Sequence, residues 1–245
     1  MNSRLFGSIA VAVMALCFLP AKVSGDEPSA GRPLVDVWTT DEGLPQNSVI
    51  SIIQTRDGYL WLGTVNGLVR FDGIGRASGS GPRKFPVFNQ NNTPLLKSSR
   101  IVKIFEDKAG NLWVGTEGGG VSQVSPSGDI RHLDIVDKTR GVRGAMCETA
   151  NGRMWIYTAN GQLCLQENNR LDGIWLAGET VSSCRLLAND GDNTLYFGTD
   201  HLITAIDAGS TKAGQPLPIK WQDPVQKLDF LLNRSKGGYW RLADG

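Results

Sequence analysis

Asp57-Gly58-Tyr59-Leu60-Trp61-Leu62-Gly63-Thr64 returns 52 residues later as Ala109-Gly110-Asn111-Leu112-Trp113-Val114-Gly115-Thr116. Three looser copies follow: Asn151-Gly152-Arg153-Met154-Trp155-Ile156-Tyr157-Thr158, Asp192-Asn193-Thr194-Leu195-Tyr196-Phe197-Gly198-Thr199 and Lys236-Gly237-Gly238-Tyr239-Trp240-Arg241-Leu242. The anchoring aromatics Trp61, Trp113, Trp155, Tyr196 and Trp240 lie 52, 42, 41 and 44 residues apart. A period in the forties marks stacked supersecondary units, each too small to bury its own apolar face alone.

Each copy reads as the same unit. A short apolar strand comes first: Val49–Ile53, Ile101–Phe105, Ala145–Cys147, Arg185–Ala188 and Leu228–Leu232. A turn rich in Asp, Asn and Gly follows, residues that tolerate the positive φ of tight hairpins. The second strand carries the aromatic, with apolar neighbours on both faces in Leu60-Trp61-Leu62 and Leu112-Trp113-Val114. A strand wetted on one face alternates apolar with polar; one covered on both does not. Gly63, Gly115 and Gly198 end these strands and leave room for close backbone approach. Third strands follow at Leu68–Phe71, Val121–Val124, Leu163–Leu165 and Leu202–Ile206. The expectation is an all-β chain. It forms β-propeller blades of four-stranded antiparallel sheets, about five repeats starting near 48, 99, 142, 183 and 228. Residues 34–245 make up this domain. Leu34–Thr40 alternates and reads as a further strand, and Gly73–Pro94 reads as a long connecting loop.

The N-terminus is of another kind. Arg4 precedes an uncharged apolar stretch, Leu5–Pro20, too short for a comfortable membrane span of roughly 20 residues. It reads as a secretory signal peptide over residues 1–25, cut after Val23-Ser24-Gly25, with 26–33 as a leader. Removal leaves 23 basic and 24 acidic residues, a net charge of −1. No basic tract points to nucleic acid. Export permits disulfides, but the mature chain keeps three cysteines, Cys147, Cys164 and Cys184, so one stays unpaired within the chain. Cys147 and Cys164, on candidate neighbouring strands, could lie close; alternatively all three are small apolar fillers.

The segment Trp38-Thr39-Thr40-Asp41-Glu42-Gly43-Leu44-Pro45-Gln46-Asn47-Ser48-Val49, running into Asp57–Thr64 and then Asn66-Gly67-Leu68-Val69-Arg70-Phe71-Asp72-Gly73, resembles the two-component regulator propeller family. The likeness covers roughly residues 35–245. It is strong in the first two repeats and degenerate in the rest, where Tyr157 replaces a Gly, Tyr196 a Trp, and Arg241-Leu242 the apolar-Gly pair. It implies the N-terminal periplasmic propeller of an exported sensor. In that family paired seven-bladed propellers and a small β-sandwich precede a membrane helix and a histidine kinase or diguanylate cyclase. Seven blades at this period need about 300 residues. The implied architecture is therefore an incomplete seven-bladed propeller. Its output domain and membrane attachment would lie outside this chain, and the whole sensor would be able to dimerise. A closed five-bladed ring, with Leu34–Thr40 completing the blade of Leu228–Leu242, is the rival. The implied ligand is extracellular, with carbohydrate one candidate class.

Chemistry is sparse. His132 and His201 occupy non-equivalent repeat positions without metal-ligand spacing. Glu117-Gly118-Gly119-Gly120 lies between strands and opens no helix, so it is not a phosphate cradle. Asp190-Gly191-Asp192-Asn193 falls at a hairpin turn and lacks the downstream carboxylate of a calcium loop. Trp38, Trp175 and Trp221 lie off the repeated phrase and could stack on sugars or pack at blade edges. No catalytic, cofactor or metal residue is assigned, and the chain reads as a non-enzyme. The alternatives are a streptogramin-lyase-like propeller enzyme, which would need convergent His, acid or Arg groups at the ring axis, and a protein-interaction scaffold.

Overall fold

The computed structural model describes residues 37–72, 85–133, 142–158, 162–167, 170–174, 186–189, 191, 193–212, 215, 218–233 and 239–243. The signal peptide, the leader, Trp175 and Cys184 lie outside them. Blade 1 is β1 (Val49–Gln54), β2 (Leu60–Thr64), β3 (Gly67–Phe71) and β4 (Val87–Phe88). Blade 2 is β5 (Ile101–Glu106), β6 (Leu112–Thr116), β7 (Gly120–Val124) and β8 (Ile130–Leu133). Blade 3 is β9 (Val142–Glu148), β10 (Met154–Thr158), β11 (Leu163–Glu167) and β12 (Arg170–Ile174). Blade 4 is β13 (Leu186–Asn189), β14 (Thr194–Gly198), β15 (Leu202–Asp207) and β16 (Ile219–Pro224). The hairpin of β17 (Leu228–Asn233) and β18 (Tyr239–Ala243) makes a fifth sheet. All pairings are antiparallel between sequence neighbours, the meander of a propeller blade. The first strands β1, β5, β9, β13 and β17 lie against one another in that order.

The repeated phrase builds both ends of each blade. At one end the first hairpin closes with Gly58, Gly110 and Gly152 at φ 90°, 84° and 79°. Each donates its N–H to the carbonyl of Thr55, Asp107 or Thr149. Asn193, at φ 63°, holds the same place in blade 4, because its short amide tolerates the left-handed region better than other side chains. At the other end Thr64, Thr116, Thr158 and Thr199 each donate a hydroxyl across the next turn, to the carbonyls of Gly67, Gly120, Gln162 and Leu202.

Blades join through apolar faces. One cluster spans blades 1 and 2 (Leu68, Ile101, Ile104, Leu112, Val114) and another spans blades 2 and 3 (Trp113, Val121, Met146, Met154, Ile156). Trp113 and Trp155 are buried, each contributing roughly 4–6 kcal/mol of apolar transfer. The second-strand glycines are the contact points: a Cβ on Gly63 would stand 2.8 Å from Ile101 Cγ2 of blade 2, and one on Gly115 3.0 Å from Val142 Cβ of blade 3. Tyr157, in the place of that glycine, is buried with Ala145 and Phe197.

Two sequence expectations change. Leu34–Thr40 does not continue as a strand through its described part. Thr39 caps a 3-10 turn, Thr40–Glu42, with Glu42 returning to the Thr39 N–H at 2.8 Å and Gly43 closing it at φ 106°. The Thr-x-x-Glu capping box competes with extended structure here and wins locally. Trp38 packs edge-on against Phe71 and Phe85 of blade 1, so it does not complete the fifth sheet. Within Gly73–Pro94, residues 73–84 lie outside the described set, and the remainder contains β4 rather than loop alone.

Cys147 and Cys164 are buried and form no disulfide with each other. They sit on β9 and β11 with β10 between, opposite the adjacent residues Trp155 and Ile156, and so face different clusters. Burial raises the Cys147 thiol to about 11.

Candidate functional site

The first-hairpin turns of successive blades are clamped to one another. The Arg56 guanidinium donates to the Lys108 and Asp107 carbonyls at 2.8 and 2.9 Å, and the Arg56 backbone N–H donates to the Glu106 carboxylate at 3.2 Å. One blade on, Lys108 repeats the device: its N–H meets Glu148 at 2.6 Å, and its ammonium meets the Thr149 and Ala150 carbonyls at 3.1 and 3.2 Å. Ala150 breaks the series, and Asn151 donates its N–H to Asn193 Oδ1 instead. Each cation satisfies turn carbonyls of the next blade while its own backbone is held by that blade's acid.

Above each clamp the sheets diverge into a cleft. Between blades 1 and 2 it encloses about 510 Å³, and between blades 2 and 3 about 640 Å³. Register defines the walls. In the first cleft the blade 1 wall carries Trp61 and Arg70, directly opposed across β2 and β3, with Leu68 and Phe88 opposed on β3 and β4. The blade 2 wall is one cross-strand row, Glu106, Leu112, Val124 and Ile130. The second cleft repeats this plan with Trp113, Gln123 and Arg131 facing Glu148, Met154 and Gln166. Arg70 thus holds the place of Gln123, and Val124 stands where the second cleft has Gln166.

The two tryptophans differ in state. Asp107, buried at the turn of blade 2, accepts from Asn111 N–H, Asn111 Nδ2 and Trp113 Nε1, all at 2.8 Å. Blade 1 has Thr55 at that place, its hydroxyl turned to Asp57 at 2.5 Å. Trp61 therefore has no such acceptor; it is half-buried, and its indole N–H has no protein partner among the described residues. Blade 3 has Thr149 there, and the buried Trp155 Nε1 is likewise unpartnered. Arg70 lies 4.5 Å over the Tyr59 ring and pairs with no carboxylate among the described residues.

The residues singled out in the sequence fall elsewhere. His132, on the outer strand β8, contacts Ser122 Oγ through Nδ1 at 3.3 Å; His201, in the β14–β15 turn, donates Nδ1–H to the Gln226 carbonyl at 2.6 Å. Gly118 and Gly119 make the β6–β7 turn. Gly191 and Asn193 lie in a hairpin turn, while Asp190 and Asp192 are outside the described residues. Trp221 packs with Tyr196 and Tyr239. Among the described residues no cluster of three or more metal-ligating side chains occurs, and no helix is long and apolar enough to cross a membrane. Apolar side chains are exposed at the two ends of the blade series: Ile50 and Ile52 on β1 (49% and 63%), and Trp240 and Leu242 on β18 (63% and 51%).

Four four-stranded meanders with radially ordered first strands define an all-β propeller protein. Residues 43–66 and 95–118, the lead-in and first hairpin of blades 1 and 2, match the two component regulator propeller family. No curated protein matches the sequence. Among solved structures it is similar to an inactive histidine-to-alanine variant of virginiamycin B lyase from Staphylococcus aureus with quinupristin (TM-score 0.57, 12% identity, 80% of this chain and 63% of that one). It is also similar to the extracellular domain of a protein described as a one component system from B. thetaiotaomicron (TM-score 0.55, 17% identity, 80% of this chain and 28% of that one). A protein of unknown function from Bacteroides caccae is a third (TM-score 0.51, 13% identity, 79% and 70%). The chain spans less than two thirds of the first two, and at these identities the likeness establishes the fold.

Proposed function

We propose that this chain is the ligand-receiving propeller of an exported, periplasmic signal-transduction protein, with its output supplied by a domain outside residues 1–245. The observation that carries the reading is the family match at 43–66 and 95–118. The signal-like stretch Leu5–Pro20 and the similarity to an extracellular domain of a one component system support it. The signal would be a change in how neighbouring blades pack, since ligand bound in a cleft touches two sheets at once.

A lyase reading has the similarity to virginiamycin B lyase behind it. Such chemistry asks for a histidine near the ring axis with its ring available to a substrate; His132 lies on the outer strand β8, and the His201 ring, in the β14–β15 turn beside the start of β17, is engaged by the Gln226 carbonyl. The sensor reading is therefore preferred for this chain.

A thermal-shift screen of the exported chain against glycan fragments and small metabolites tests it, with mass spectrometry of each hit. The expected result is a saturable rise in Tm with the ligand recovered intact. Conversion of a hit to product would replace the sensor with an enzyme. Silence across the screen would favour a scaffold.

A further inference from the structure

The cleft between blades 1 and 2 differs from its repeat counterpart in three ways that bear on binding. Its walls are mostly carbon, from Trp61, Phe88, Leu112, Val124 and Ile130. Its single unpaired cation, among the described residues, is Arg70, held in place by stacking on Tyr59. Its indole N–H is free where that of Trp113 is tied to Asp107. Trp61 and Arg70 are direct cross-strand partners on one face, and both side chains line the cleft from the same wall.

We propose that this cleft binds a flat, largely apolar molecule carrying one carboxylate. The carboxylate sits on the Arg70 guanidinium and the Trp61 indole N–H. The ring system lies between the Trp61–Phe88 pair, whose centroids are 5.8 Å apart, and the aliphatic row of blade 2. The volume of about 510 Å³ lies in the range of small-molecule sites. A neutral, hydroxyl-rich ligand fits less well, because the blade 2 wall offers it three aliphatic side chains, with Glu106 already engaged by Arg56 and Ser125 Oγ by Ser127 Oγ and the Asp129 N–H. Arg56 is not the anion's partner, since its guanidinium is taken by two carbonyls.

This inference rests on the ligand-receiving part of the proposed function and is silent on signalling. It is tested by titrating the chain with 2-naphthoate and with the neutral 2-naphthamide, read by calorimetry and by Trp fluorescence. The expected result is saturable naphthoate binding with the amide weaker by roughly tenfold or more, the loss of a charge-assisted pair. Arg70→Gln should weaken naphthoate by the same factor and leave the amide unchanged. Trp61→Phe, which keeps the ring and removes the N–H, should weaken naphthoate several-fold. Gln123→Ala, in the second cleft, should change nothing. Unfolding midpoints of all variants are recorded alongside, and Trp61→Phe keeps the test decisive if Arg70→Gln is poorly folded. Equal affinity for acid and amide, equal affinity in Arg70→Gln, or no saturation overturns the proposal. A screen hit of another class that binds Arg70→Gln unchanged would overturn it too, while leaving the ligand-receiving function intact.

Discussion

Gly63→Ala tests the claim that the repeated glycine is a contact point between blades. Gly63 has an ordinary backbone conformation, so alanine brings no φ strain and the effect is steric. The new Cβ would stand 2.8 Å from Ile101 Cγ2, 3.3 Å from Ile101 Cβ and 3.3 Å from Ile104 Cδ1. Carbon pairs settle at about 3.5–4.0 Å, so the blades must part by about 0.7 Å or Ile101 must leave its rotamer. Ile101 is β-branched, fully buried and held in a ladder opposite Thr116, which leaves it little to yield. Overpacking of this kind costs about 1–3 kcal/mol, against about 0.4–1 kcal/mol gained from the stiffer unfolded chain. The expected net is a loss of about 1–2 kcal/mol, or roughly 2–8 °C in Tm for a chain of this size. Differential scanning calorimetry measures it. Gly173→Ala is the control, since its nearest neighbour would be Gln162 Oε1 at 3.5 Å; its Tm should hold or rise. Ile101→Leu moves the branch away from the clash, so the Gly63→Ala/Ile101→Leu pair should show a coupling of about 0.5 kcal/mol or more. A Gly63→Ala protein as stable as the parent would refute the close-approach reading.

Asp107→Thr copies the blade 1 turn into blade 2 and strands the buried Trp113 Nε1; chemical denaturation should show a loss of about 1–3 kcal/mol. Lys103, on β5, has its ammonium pKa lowered by burial, so the unfolded chain binds the proton more tightly and stability rises with pH between the folded and unfolded values. Lys103→Met should therefore raise Tm at pH 7, with the gain shrinking as the pH approaches about 10.4, the unfolded lysine value; a gain independent of pH would point to packing alone. Cys147 and Cys164 should resist alkylation by iodoacetamide at pH 8 in the native chain and react in denaturant, as peptide mapping will report. Ile52→Lys with Trp240→Lys should reduce self-association in sedimentation velocity, since these are the exposed apolar ends of the blade series.

What could be read along the chain was what each unit does with its own neighbours. A left-handed position in a hairpin demands Gly, and Gly58, Gly110 and Gly152 announced it; Asn193 fills the same need. Apolar residues flanking Trp113 on both faces announced a strand covered twice, and β6 is buried along its whole length. The capping box Thr39–Glu42 was also legible, but alternation in Leu34–Thr40 masked it, because a short polar-apolar run fits a strand until the cap is recognised. Blade pairing was not legible. Cys147 and Cys164 are close in sequence, yet the register on β10 turns them to opposite faces.

By itself the sequence determined the unit, its period and its turns, because those rest on φ preferences and hydrogen bonds within a few residues. Only the tertiary structure decided which cleft between units is walled mostly by carbon. The same aromatic position is sealed at Trp113 and Trp155 and open at Trp61. Around Trp61 the cleft is set by Arg70 in place of Gln123 and by a facing wall of Leu112, Val124 and Ile130 contributed by the next blade. Those wall residues lie 51 to 69 residues along the chain from Trp61, and only the stacking of one sheet on the next brings them opposite it.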